Sequence, residues 1–343
     1  MSIKEWVTMD LDGLELLEVS EYEEKRVQSF VLSKQKRPSV YKNIAIALTC
    51  ILGITTATAF AFPTVASQIP FMKNVISYFS DDSNRYKNFE IYSSDIGQVQ
   101  SSNGISVMID RAVYDGTNVT VSFAVETDED LGENIKPMQG MFNILGADGS
   151  AGSMKINKIS ENRYIGLATL TPFFENNINP DSVNISWQPK SFYSLSKERE
   201  FSGDWSFAFT LTRLDGNIML LNKFVRSNDI NFTVQSIEFT DLSTIINYEQ
   251  LVSDEIVSKW GSVTPIFEIS DNLGHIYKDR SGGGGGIAIS NRSGNYLKGS
   301  TSIGAIEAGA TQLIVKPIAI ATLLDGEEHI EVELESIVIN LER

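Results

Sequence analysis

Between Asn43 and Met72 the chain carries no charged residue. Within that stretch, Ile44 to Phe62 is 19 residues of mostly Ile, Leu, Ala and Phe. As a helix it would span about 28 Å, close to the hydrocarbon thickness of a bilayer. Thr49, Thr55, Thr56 and Thr58 can hydrogen-bond back to a helix backbone, so lipid tolerates them. Pro63 stands at the far end, where a break costs least. Lys34, Lys36, Arg37 and Lys42 crowd the N-terminal flank, and the other flank has no basic residue until Lys73. A core helix would need a polar stripe, which is missing. A cleavable leader could be trimmed at Ala59-Phe60-Ala61, but 42 residues is long for the region ahead of a leader's apolar core. The expectation is an uncleaved transmembrane helix over 43–65, with the N-terminus in the cytoplasm and the rest outside.

Charge divides the chain in the same place. Residues 1–42 hold 7 basic and 8 acidic side chains; from Lys73 onward there are 21 basic and 36 acidic, a net of −15. Such a body repels nucleic acid, whose phosphates demand Lys and Arg. The single cysteine, Cys50, lies in the apolar stretch, which excludes an intramolecular disulfide and a thiolate zinc site. A large outer region without disulfides fits a bacterium.

Residues 1–42 read as a cytoplasmic amphipathic segment. Ser20 and Glu23 form a capping box, Glu21 to Glu24 favour a helix start, and Pro38 stops it. Val27, Phe30 and Val31 make an apolar stripe, and Leu14 and Leu17 lie among acids before it. Forty residues cannot bury that surface alone, so the segment is expected to fold against a partner.

Residues 66–88 read as a helical linker next to the membrane, in which Phe71, Val75, Ile76 and Phe79 share a face that packs under the next domain. From Phe89 the apolar pattern switches to period two. "GISVMIDRAVYDGTNVTVSFAVE" (104–126) predicts two strands around Asp115-Gly116. Aligned at an offset of 125, Ile109, Tyr114, Val121 and Phe123 match Val234, Phe239, Ile246 and Tyr248. That repeat predicts two tandem antiparallel, immunoglobulin-like β-sandwiches, 89–216 and 217–343, and a mainly β fold class.

The motifs of hydrolases, zincins, P-loops and dinucleotide folds are absent, so no enzyme, cofactor or metal is expected. His275 and His329 are isolated and read as turn or surface residues. Glu126, Asp128 and Asp130 cluster in "ETDEDLGEN", but without EF-hand spacing they read as a solvated loop. "SGGGGG" (281–286) lacks the Lys-Ser/Thr of a phosphate loop and reads as a hairpin tip.

The basic-flanked apolar stretch, "IPFMKNVISYF" (69–79) and "NGISVMIDRAVYDGTNVTVSF" (103–123) resemble Gram-positive membrane proteins carrying the domain of unknown function 4179. "INFTVQSIEFTDLSTIINYE" (230–249) is similar to the domain of unknown function 5643 that accompanies it. The resemblance implies a single-pass, anti-sigma-factor-like regulator. Its inner segment would hold an extracytoplasmic-function sigma factor, and its outer region would sense an unknown ligand. Leu14, Leu17, Val27, Phe30 and Val31 are the expected contact face, from the stripe and not from a family motif. The His/Cys zinc motif of many anti-sigma factors is missing from residues 1–42, which implies a metal-free mode. The alternative is a membrane-anchored outer binding module for wall polymer, peptide or a surface protein.

Overall fold

The period-two alternation becomes two antiparallel β-sandwiches. The computed structural model describes residues 78–79, 86, 88–174, 179–227, 229–280, 287–290 (backbone), 295–323 and 329–341. The first sandwich follows helix α1 (Phe89–Tyr92). Its strands are β1 (Ser94–Ser102), β2 (Ile105–Tyr114), β3 (Val119–Thr127), β4 (Ile135–Met138), β5 (Asn143–Leu145), β6 (Gly149–Ser160), β7 (Arg163–Phe173), β8 (Ser182–Trp187), β9 (Ser191–Ser194), β10 (Arg199–Ser202) and β11 (Phe207–Thr212). The second contains β12 (Asn217–Ser227), β13 (Ile230–Phe239), β14 (Ser243–Val252), α2 (Asp254–Trp260), β15 (Ser262–Asp271), β16 (Ile276–Tyr277), β17 (Ile287–Ser290), β18 (Tyr296–Gly304), β19 (Gln312–Thr322), β20 (His329–Glu333) and β21 (Ile337–Asn340).

In the first sandwich a five-stranded sheet, β1-β2-β3-β7-β6, faces two three-stranded sheets, β10-β9-β4 and β11-β8-β5. In the second, β12-β13-β14-β18-β17 faces β16-β15-β19-β20, with β21 also on β19. Each core fills the space between facing sheets. Trp187 lies 4.6 Å from Phe142 and 5.1 Å from Phe123, ring to ring, in the first. Phe232, Tyr248 and Phe267 form the matching cluster in the second. Phe123 and Tyr248 are repeat partners, so both cores are seeded from one position. Gly166 on β7 leaves room for the Phe123 ring; a Cβ there would sit 2.0 Å from it.

The duplication extends to irregularities. The register shifts between Asp95 and Gln98 and between Leu220 and Lys223, and again between Ile109 and Arg111 and between Val234 and Ser236, each pair displaced by the same 125 residues. Two chains sharing only a β habit have no reason to place bulges in step, because a bulge is a local insertion.

The five-stranded sheet of the first sandwich is covered on both faces. Phe79, Tyr86 and Phe89, together with Leu242 from the second sandwich, pack over Met108, Val113, Ala124, Ile165 and Leu167. For that reason β3 and β7 are buried almost continuously instead of alternating.

The fold expectation needs one correction. The described helices have 4 and 7 residues, about 6 and 10 Å of rise against the roughly 30 Å of a bilayer core. No helix among the described residues is long and apolar enough to cross a membrane. The transmembrane helix is therefore unsupported, and among the described residues the fold is mainly β with two short helices. Residues 43–65, the amphipathic segment 1–42, residues 66–77 of the linker and the glycine run 281–286 lie outside the described residues.

Candidate functional site: the junction of the two sandwiches

Two equivalent hairpin turns form the junction. In the first, Asp115 Oδ1 accepts from Thr117 N (2.9 Å) and Asn118 N (2.7 Å). In the second, Thr240 Oγ1 accepts from Leu242 N (3.2 Å) and Ser243 N (2.8 Å). An aspartate and a threonine thus make the same turn, since either side chain offers an oxygen to the amides two and three residues on.

Arg280, fully buried, lies between these turns. Its Nη1 donates to Leu242 O at 2.8 Å and lies 3.8 Å from Asp115 Oδ2. Its guanidinium stands 5.8 Å from the centre of the Tyr86 ring. The Tyr86 hydroxyl in turn shares a 2.9 Å hydrogen bond with Thr169. One cation therefore touches the segment ahead of α1 and the turns of both sandwiches. A second pair reinforces it: Arg213 Nη2 donates to the buried carboxylate of Glu238. Gly116, at φ +96°, and Gly216 lie against these two side chains, where a Cβ would come within 2.5 Å of Arg213 Nε and Glu238 Oε1 respectively.

Beside the junction is a groove of about 440 Å³, lined by Asn88 and Tyr92 of the leading segment and by Met219, Phe239, Asp241 and Ile306 of the second sandwich, among others. Asn88 Nδ2 donates to Asp241 O at 2.7 Å across it. Its volume falls within the range of small-ligand clefts, and its lining mixes polar and apolar side chains.

The other sequence candidates are tied into local structure. Glu126 accepts from Arg163 Nη2 at 3.1 Å. Asp130 pairs with Lys158 at 2.8 Å and accepts from Gly132 N and the Tyr164 hydroxyl. The Lys158 hydrogen bond, with the Gly132 amide, holds the Asp130 carboxyl well below the usual carboxylate range. His275 Nδ1 lies 2.8 Å from Asp271 Oδ2, which also accepts from the Tyr277 hydroxyl at 2.7 Å. Burial alone would push the Asp271 carboxyl up; the bonds from Tyr277, His275 and two amides outweigh it and hold it at about 2. Among the described residues no group of three or more His, Cys, Asp or Glu converges on a metal position. Leu14, Leu17, Val27, Phe30 and Val31 lie outside the described residues.

Sequence reading missed the junction. Arg280 precedes the glycine run and carries no motif, and Asp115-Gly116 reads only as a hairpin turn, with nothing to show that Asp115 is buried beside Arg280.

Residues 36–127 match the family model for the domain of unknown function DUF4179, and residues 216–341 match the family of unknown function DUF5643. No curated protein matches the chain. The crystal structure of the conserved domain protein from Bacillus anthracis is similar, with 25% identity and a TM-score of 0.64, covering 75% of this chain and 94% of that one. The S. aureus collagen adhesin (11% identity, 72% of this chain, 97% of that one) and BspA_C_WT (8%, 71% and 99%) align with TM-scores of 0.13, too low to bear on the fold.

Proposed function

We infer that this chain, which joins a DUF4179 region to a C-terminal DUF5643 region in the order the sequence suggested, is a non-enzymatic regulator that holds an extracytoplasmic-function sigma factor. The match of residues 36–127 to DUF4179, a resemblance that implies an anti-sigma-factor-like role, is the observation carrying the reading. Leu14, Leu17, Val27, Phe30 and Val31 form the holding face, covering apolar surface of the sigma factor. The β-body takes the input, and the groove beside Asn88 and Asp241 is the candidate place for it. The Arg280 junction supports this division, because it joins the second sandwich to the segment that leads back toward the N-terminus. The charge pattern about residues 43–72 supports a location at the cell membrane, tested by whether a carbonate wash releases the protein.

The decisive experiment swaps Phe30 and Val31 for Ser in the full chain. Co-purified sigma factor should fall at least tenfold and transcription from its promoters should rise. Unchanged retention and transcription would sink the regulator reading and leave the β-body as a binding module on its own.

A further inference from the structure

The duplicated unit supplies its own control for one surface. β1 and β12 occupy the same place, each the edge strand of a five-stranded sheet with the same bulge. Their chemistry differs. β1 reads SDIGQVQSS, and Gln98 and Gln100 donate to the backbone oxygens of Ala208 and Ser206 on the facing layer. Val99 packs with the cluster formed by Phe79, Tyr86 and Phe89. β12 reads NIMLLNKFVRS; Met219, Leu221 and Val225 face the core, but Ile218, Leu220 and Phe224 are 63%, 80% and 73% exposed on the outer face. Water does not select such a row at a sheet edge, where unpaired backbone groups already invite association.

We propose that β12 is the contact between two copies of this chain, paired antiparallel about a two-fold axis at Asn222. That alignment is self-complementary. Leu220 of one copy falls beside Phe224 of the other, and Ile218 falls beside the alkyl stem of Arg226. The two Arg226 side chains lie about 27 Å apart, at eight residues of roughly 3.4 Å each; a parallel alignment would set them against each other. Strand charges do not oppose the contact: Lys223 Nζ already donates to Val338 O at 2.6 Å, and Arg226 stands 3.7 Å from Asp229. Asn222, at φ 51° in the bulge, falls on the axis, so the ladder is interrupted there and continues on both sides, 217–220 against 224–227. The row also continues an existing interface, since Ile218 pairs in register with Glu238, the buried partner of Arg213.

The test uses the full chain in detergent with Cys50→Ser. A cysteine on the axis meets its own copy, so Asn222→Cys should cross-link to a dimer on mild oxidation. Arg226→Cys, which faces residue 218 of the other copy, should cross-link at least tenfold less. Adding Leu220→Lys should reduce the Asn222→Cys product at least tenfold. Light-scattering mass without any cysteine substitution is the second measurement, should the axial cysteine disturb the bulge. The unaltered polypeptide should exceed its monomer mass of 38.0 kDa twofold, and Leu220→Lys with Phe224→Lys should return it to monomer. A monomer at every concentration overturns the proposal and leaves the row to a different partner. Equal cross-linking at 222 and 226, or a dimer indifferent to Leu220→Lys, overturns it as well. The outcome is independent of whether the chain holds a sigma factor.

Discussion

Replacing Arg280 with Met probes the junction most directly. Methionine keeps much of the stem's volume and removes the charge. The variant loses a charge-assisted hydrogen bond to Leu242 O, worth about 1.5–3 kcal/mol. It also leaves Asp115, which is 1% exposed, without the cation 3.8 Å away. Breaking a buried pair on one side costs about 3–5 kcal/mol; the long Asp115 contact places this case near 3. At roughly 2–4 °C per kcal/mol for a body of this size, the melting temperature should fall by roughly 6–12 °C in calorimetry. Asp115 keeps its bonds to Thr117 and Asn118, so its own turn should survive. The double variant Arg280→Met/Asp115→Asn should therefore recover at least about 1 kcal/mol relative to additivity. A loss under about 1 kcal/mol for Arg280→Met, or strict additivity in the double variant, would refute the claim that this cation clamps the two turns.

Three further outcomes are expected. Asp271 titrates at about 2 in the folded chain against an ordinary 3.8, so its stabilising contribution is complete above pH 4 and disappears as pH falls toward 2; denaturant melts at pH 5, 3 and 2 should show this, and Asp271→Asn should flatten the difference. Gly166→Ala forces a Cβ to within 2.0 Å of the buried Phe123 ring and should cost about 3 kcal/mol by urea denaturation, the upper part of the overpacking range; a neutral result would mean that the β3–β7 contact is looser than described. Thr240→Val removes the acceptor of two turn amides and should cost about 2 kcal/mol, while Thr240→Ser should retain most of the stability.

Long strands were legible because each presents several alternations. Val107 to Phe123 and Phe232 to Tyr248 show the period, the turn residues and the repeat together, and "KINKISENRYIGLATLTPF" (155–173) contains the second half of β6, its turn and all of β7. The strands β4, β5, β9 and β10 have 3 or 4 residues, too few for a period to declare itself. The helix α2 has 7 residues, capped by Ser253 through Ile256 N, and about two turns of helix leave little apolar pattern to detect. Asp130 reads as part of a solvated loop by charge density; charge density carries no sign of Lys158 and Tyr164, which reach it from two other strands.

From sequence alone came the all-β character after Phe89, the hairpin at Asp115-Gly116, the 125-residue duplication and the two family regions, because all of these are patterns between residues close in the chain or copied along it. Tertiary structure decided what each copy does with the same plan. It buried one five-stranded sheet on both faces, placed Arg280 between two turns 125 residues apart, and left Leu220 and Phe224 uncovered where the first copy has a polar edge. Those differences depend on which segment comes to lie over a face, and period-two alternation says which side chains share a face without saying what lies against it.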